Sequence, residues 1–121
     1  MSKRILIADD DDDALAGLAN LLTGMGYEVA LAGDGAQAVE VAVQFDPEVV
    51  ILDLGMPLVD GLSAARQLRK MPNGHALMLV ALTGWGQPQH REMTLAAGFD
   101  VHLVKPISAD QLQFILSMLQ P

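Results

Sequence analysis

The chain is expected to fold as an α/β domain, an open, doubly wound sheet of five parallel strands with helices on both faces. Three observations predict it. Five short apolar runs alternate with five stretches of helical spacing, and such alternation calls for a parallel sheet with right-handed crossovers. The run Val49-Val50-Ile51-Leu52 is apolar at four consecutive positions, the pattern of a strand buried on both faces. The length of 121 residues is enough for one domain with a real core but not for eight βα units, which excludes a barrel.

Each element has its own warrant. Ile5-Leu6-Ile7-Ala8 is the first strand, and it runs into five consecutive aspartates, Asp9 to Asp13. Leu15, Leu18, Leu22 and Met25 then share one helical face, and Gly24 and Gly26 stop that helix. Glu28 to Ala32 is the second strand. Asp34 is placed to cap a helix carrying Ala38, Val39, Ala42 and Val43, which ends before Asp46-Pro47. The third strand follows, with Asp53 at its carboxyl end. Gly55, Pro57 and Gly61 break the regular structure there, and a helix is expected from about Gly61 through Leu62, Ala65, Leu68 and Met71. Pro72-Asn73-Gly74 is a turn. Leu77 to Leu82 is the fourth strand, closed by Thr83-Gly84-Trp85-Gly86, and a helix is expected over Pro88 to Ala97, ended by Gly98. Val101 to Val104 is the fifth strand, ending at Lys105-Pro106. Ser108 can cap a last helix bearing Leu112, Ile115, Leu116 and Leu119.

Composition narrows the function. Only 4% of residues are aromatic, so the core is expected to be aliphatic. A formal net charge of −8 argues against nucleic-acid binding by this domain, which would need a basic face. The absence of cysteine removes disulfides, thiolate metal sites and Cys nucleophiles. No apolar run approaches a membrane span, and Met1-Ser2-Lys3-Arg4 leads directly into strand pattern without a signal-peptide cleavage region. A cytoplasmic domain without membrane insertion is the expectation.

Ligands of open α/β sheets bind where the strands end. Here those ends carry Asp9-Asp10, Asp53, Thr83 and Lys105. Each has a bland alternative. Aspartates after a strand cap helices, a threonine there serves a turn, and a lone lysine is solvated. Caps explain one or two of Asp9 to Asp13, not five. Converging Asp9, Asp10 and Asp53 would repel one another unless a cation joined them. Hard oxygen donors without His or Cys suit Mg²⁺ rather than zinc. Lys105 adds a fixed positive charge and Thr83 a hydroxyl donor. Phosphoryl transfer to Asp53 is the chemistry such a set supports.

With these residues in place, the chain resembles a response-regulator receiver domain of two-component signalling over essentially all of residues 1–121. The matching features are Asp9-Asp10, Asp53, Met56-Pro57, Asp60-Gly61, Thr83 and Lys105-Pro106, each in order and after an expected strand. The resemblance implies a flavodoxin-like (βα)5 sandwich with strand order 2-1-3-4-5. It implies that Asp53 accepts a phosphoryl group from the phosphohistidine of a histidine kinase or histidine phosphotransfer domain. Asp10, Asp53 and the backbone carbonyl of Gly55 would hold Mg²⁺, with Asp9 acting mostly through water. Thr83 and Lys105 would contact the phosphoryl oxygens, the bond to Pro106 would be cis, and the face of helix four, strand five and helix five would carry the signal to an output partner. The stretches around Thr83-Gly84-Trp85 and Phe99 to Pro106 resemble receivers of hybrid histidine kinases, which implies a phosphorelay role.

Three positions depart from the common pattern or tune it. His102 stands where receivers often have Tyr or Phe, and its protonation is expected to weaken switching in mild acid; equal activation-induced shifts at about pH 6 and about pH 8 would exclude this. Gly55 has no side chain to position an attacking water, and Trp85 is bulky enough to shield the site, so self-dephosphorylation is expected to be slow. A phosphoryl lifetime unaffected by Gly55→Asn and Trp85→Ala would sink that expectation. Gly84 keeps the approach to the phosphoryl group open. His75 and His90 are expected on the surface. A phosphatase of the haloacid-dehalogenase type would need an Asp where Gly55 stands, and a flavodoxin would need a Ser/Thr/Gly-rich phosphate loop where Asp9 to Asp13 stand. A degenerate receiver serving only as a docking surface is disfavoured because all five functional positions are filled.

Overall fold

The structure is a computed structural model that describes residues 3–56, 58–84 and 91–118, with the backbone alone at positions 58–60 and 91. Among these residues, β1 (Arg4–Ala8), β2 (Glu28–Ala32), β3 (Val49–Asp53), β4 (Met78–Thr83) and β5 (Val101–Val104) form one parallel sheet of order β2-β1-β3-β4-β5. The helices are α1 (Asp12–Gly24), α2 (Gly35–Phe45), α3 (Leu58–Arg69), α4 (Arg91–Ala97) and α5 (Ala109–Leu116). The doubly wound fold and its strand order are those expected.

The alternation of side chains along each strand builds two cores. Leu6, Ala8, Val50, Leu52, Leu79 and Ala81 face α2, α3 and the end of α4, meeting Ala38, Leu68 and Phe99. Ile5, Ile7, Val49, Ile51, Val80 and Leu82 face α1 and α5, meeting Leu15, Leu22, Leu112 and Ile115. Every residue of β3 is buried, as its unbroken apolar run requires. Burial of each such Leu or Ile contributes about 1.5–3 kcal/mol.

Several boundaries differ from expectation. Helix α3 begins at Leu58, not near Gly61. Gly61 lies inside the helix, where a Cβ would stand 2.9 Å from the Leu54 side chain, so its smallness serves close packing rather than a break. Helix α3 ends at Arg69, and the Leu77 N–H donates to the Gly74 carbonyl at 3.3 Å to close a 3-10 turn, Gly74–Ala76, which delays β4 to Met78. Strand β4 also runs one residue further, to Thr83, which pairs with Val104. Asp34 and Ser108 cap α2 and α5 as expected, Ser108 in a reciprocal capping box with Gln111. Met1, Pro57, the start of α4 at Pro88, Trp85, His90 and Leu119 lie outside the described residues.

Candidate functional site

Backbone hydrogen bonds at the carboxyl edge of the sheet fix where the site residues emerge. The Asp9 N–H donates to Ala32 O at 3.1 Å, that of Leu54 to Leu82 O at 2.7 Å, and that of Lys105 to Thr83 O at 2.8 Å. Strand alternation then sorts the side chains. Asp9, Asp53 and Lys105 continue the faces of Ile7, Ile51 and Leu103 toward α1 and α5, whereas Thr83 continues that of Ala81 toward the opposite helices.

Three of the expected residues meet. Lys105 Nζ donates to Asp53 Oδ2 at 2.5 Å and to Asp9 Oδ2 at 3.3 Å. Both carboxylates are buried, with side chains 5% exposed. The Gly55 N–H donates to Asp53 Oδ1 at 2.7 Å and the Asp11 N–H to Asp9 Oδ1 at 3.0 Å, so each carboxylate is oriented by its own loop. Gly55 is held close: a Cβ there would come within 3.0 Å of Asp53 Oδ1.

The aspartate run divides by role. Asp11 caps α1 by accepting from the N–H groups of Asp13 and Ala14, while Asp12 and Asp13 sit in the first turn, favoured by the helix dipole. Asp10 is exposed. The Lys105–Pro106 peptide is cis, as expected, and Gly84 is half-buried beside the site. Thr83 is buried, and its hydroxyl is hydrogen-bonded to His102 Nε2 at 3.1 Å. His75 is exposed as expected.

Electrostatics separate the two carboxylates. Burial, then the neighbouring Asp53, pushes the Asp9 carboxyl above its ordinary value. Burial also acts to raise Asp53, but hydrogen bonds with Asp9, Lys105 and the Gly55 N–H outweigh it and hold the carboxyl below its ordinary value. Burial acts to lower Lys105, yet its contacts with Asp53 and Asp9 raise it on balance. Asp53 thus keeps its negative charge to lower pH than Asp9 does, facing the Lys105 ammonium.

One ammonium against two carboxylates leaves an uncompensated negative charge in a buried, all-oxygen setting. That chemistry fits a hard divalent cation such as Mg²⁺. Among the described residues no three His, Asp or Glu side chains stand close enough to hold a metal by themselves, since Asp10 faces solvent while Asp9 and Asp53 are drawn to Lys105.

The strain at Asp9 has a measurable consequence. Its carboxyl is raised in the folded chain, so the native state favours the protonated form, and the benefit is lost as pH rises through that raised value. Asp9→Asn mimics the protonated form and leaves Lys105 paired with Asp53. The variant is expected to be more stable than wild type near neutral pH in urea denaturation. The gain should vanish below about pH 4, where the unfolded chain is protonated too. Equal or lower stability at neutral pH would show that the Lys105 contact outweighs the repulsion.

Sequence reading missed Arg69. Its guanidinium donates to the Gly98 carbonyl at 2.9 and 2.6 Å, to Gly74 O at 2.8 Å, to Leu77 O at 2.6 Å and to Asp100 Oδ2 at 2.6 Å. It lies at the amino edge of β4 and β5, away from the site.

Comparison with known proteins agrees with this geometry. Residues 5–117 match the family model described as response regulator receiver domain. The chain is 40% identical over 111 residues to the transcriptional regulatory protein PrrA of Mycobacterium tuberculosis, covering 92% of this chain and 47% of PrrA. It therefore spans about half the length of the curated relatives it matches. Among solved structures it superposes on the chemotaxis protein CheY4 of Vibrio cholerae with a TM-score of 0.89 at 26% identity, covering 99% of this chain and 100% of that one. It also superposes on the receiver domain of the sensor histidine kinase PA1611 of Pseudomonas aeruginosa, which has a magnesium ion coordinated in its active-site cleft. There the TM-score is 0.86 at 33% identity, with 98% of each chain covered.

Proposed function

The chain belongs to the response-regulator receiver domain family, and from that premise we propose that Asp53 is the phosphoacceptor of this two-component signalling switch. The observation that carries the assignment is the convergence of Asp53 and Asp9 on Lys105 Nζ, with Asp53 held anionic at the end of a wholly buried strand.

The donor is the phosphohistidine of a histidine kinase or histidine phosphotransfer domain. An Asp53 oxygen attacks phosphorus, the P–N bond breaks, and the imidazole leaves with the electron pair and takes up a proton. Lys105, within reach of Asp53 Oδ2, neutralises charge on the phosphoryl oxygens, and the Gly55 N–H keeps the nucleophile oriented. Asp10, Asp53 and the Gly55 carbonyl, with Asp9 behind them, would hold Mg²⁺, which when bound adds positive charge for the same oxygens. The domain promotes only its own phosphorylation and a slow self-hydrolysis, slow because Gly55 has no side chain to place a water. The output face is that of α4, β5 and α5, where Leu95 and Phe114 are each 70% exposed.

Amide NMR of the wild-type chain during titration with Mg²⁺ and then beryllofluoride tests the assignment. Saturable shifts around Asp9, Asp53 and Lys105 are expected at the first step. A second set, spreading to β5, is expected at the next step and only when Asp53 is intact. Absence of the second set in wild type would overturn it.

A further inference from the structure

The Thr83 hydroxyl and Asp53 emerge toward opposite faces of the sheet. Thr83 follows Ala81 on the α2–α3–α4 face, and on that face His102 is its diagonal neighbour across the β4–β5 pair, where Ala81 pairs with His102 and Thr83 with Val104. A diagonal pair lies within reach of a ring. The imidazole takes that reach: its Nε2 is 3.1 Å from Thr83 Oγ1, and Thr83 is only 2% exposed, so water competes little for the bond.

A threonine hydroxyl has one hydrogen to donate. We propose that the Thr83 hydroxyl donates it to His102 Nε2 in the resting domain, so that His102 is a positioning residue acting as a latch: a phosphoryl oxygen on Asp53 must win this hydrogen from the imidazole. The inference rests on the phosphoacceptor assignment above and adds to it the group against which phosphorylation competes. A phenylalanine at this position could only vacate or fill space, whereas the histidine opposes the hydroxyl's departure directly. A cavity of about 170 Å³ lined by Thr94, Phe99 and His102, among others, lies between α4 and β5 beside the ring.

The test uses His102→Phe, Thr83→Val and the double variant. Without metal, ring-nitrogen NMR should show Nε2 of His102 unprotonated in wild type, with its shift changed in Thr83→Val; a proton on Nε2 would overturn the latch, because the imidazole would then be the donor. In saturating Mg²⁺, His102→Phe should bind beryllofluoride roughly fivefold more tightly than wild type, the scale of one hydrogen bond of net strength. That gain should disappear in the Thr83→Val background. Unchanged or weaker binding by His102→Phe, or a gain that persists without the hydroxyl, would overturn the latch. If His102→Phe fails to fold, His102→Leu is held to the same criterion. No beryllofluoride uptake even by wild type would count against the phosphoacceptor assignment, and the metal-free ring-nitrogen shifts would then decide the latch alone.

Discussion

Asp53→Asn is expected to abolish acyl-phosphate formation while leaving the fold intact. With Mg²⁺ and isotope-labelled acetyl phosphate, wild type should acquire label that hydroxylamine removes, and the variant should acquire none above background. The carboxamide is a poor nucleophile, and no described group replaces it: the buried polar side chains are Asp9, Asp53, Thr83 and Thr94, and of these only Asp9 is a second carboxylate. Asp9 is poorly placed to stand in, because it follows β1 and turns its Oδ1 back onto the Asp11 N–H of its own loop. The loss should not come from unfolding. An Asn oxygen can still accept from the Gly55 N–H, and removing the charge at position 53 relieves Asp9 of its nearest repulsion. Full labelling of the variant would move the phosphoryl group to another residue. Loss of labelling together with a large drop in urea midpoint would make the experiment a measure of stability instead.

That so much of this site could be read from the chain follows from where its residues sit. Strands buried on both faces leave long apolar runs, and a polar residue that ends such a run must stand at the sheet's edge; Asp9, Asp53, Thr83 and Lys105 all do. The division of labour among Asp9 to Asp13 was not legible. One rotation of the chain after β1 decides which carboxylate turns inward, and five identical side chains record nothing of it. Gly61 misled for a related reason: a glycine that makes space for Leu54 looks the same in sequence as one that breaks the chain ahead of a helix. The Thr83–His102 bond depends on pairing register, Ala81 against His102, which neither strand specifies alone.

Arg69 was illegible for the plainest reason: four of its five hydrogen bonds go to backbone carbonyls, which every residue possesses. Its guanidinium ties the end of α3 to the 3-10 turn at Gly74, to Leu77 just ahead of β4, and to the α4–β5 connection at Gly98 and Asp100. Asp100 in turn accepts the Leu79 N–H at 2.9 Å, so the charge pair is spliced into the sheet. The fit is tight. A Cβ on Gly74 would stand 2.4 Å from the Leu68 and Arg69 carbonyls, and one on Gly98 would stand 2.9 Å from the Arg69 side chain. Arg69→Met keeps much of the aliphatic stem but removes every donor. It is expected to cost about 3 kcal/mol in urea denaturation, less than a fully buried pair because the two side chains are 21% and 47% exposed. Because Arg69 lies at the edge opposite Asp53, beryllofluoride affinity under folding conditions should stay within about twofold of wild type, the scatter allowed for independent sites. A stability loss below about 1 kcal/mol would mean that water satisfies the abandoned carbonyls. An affinity change far beyond twofold would instead tie the anchorage of α4 and β5 to the switch itself.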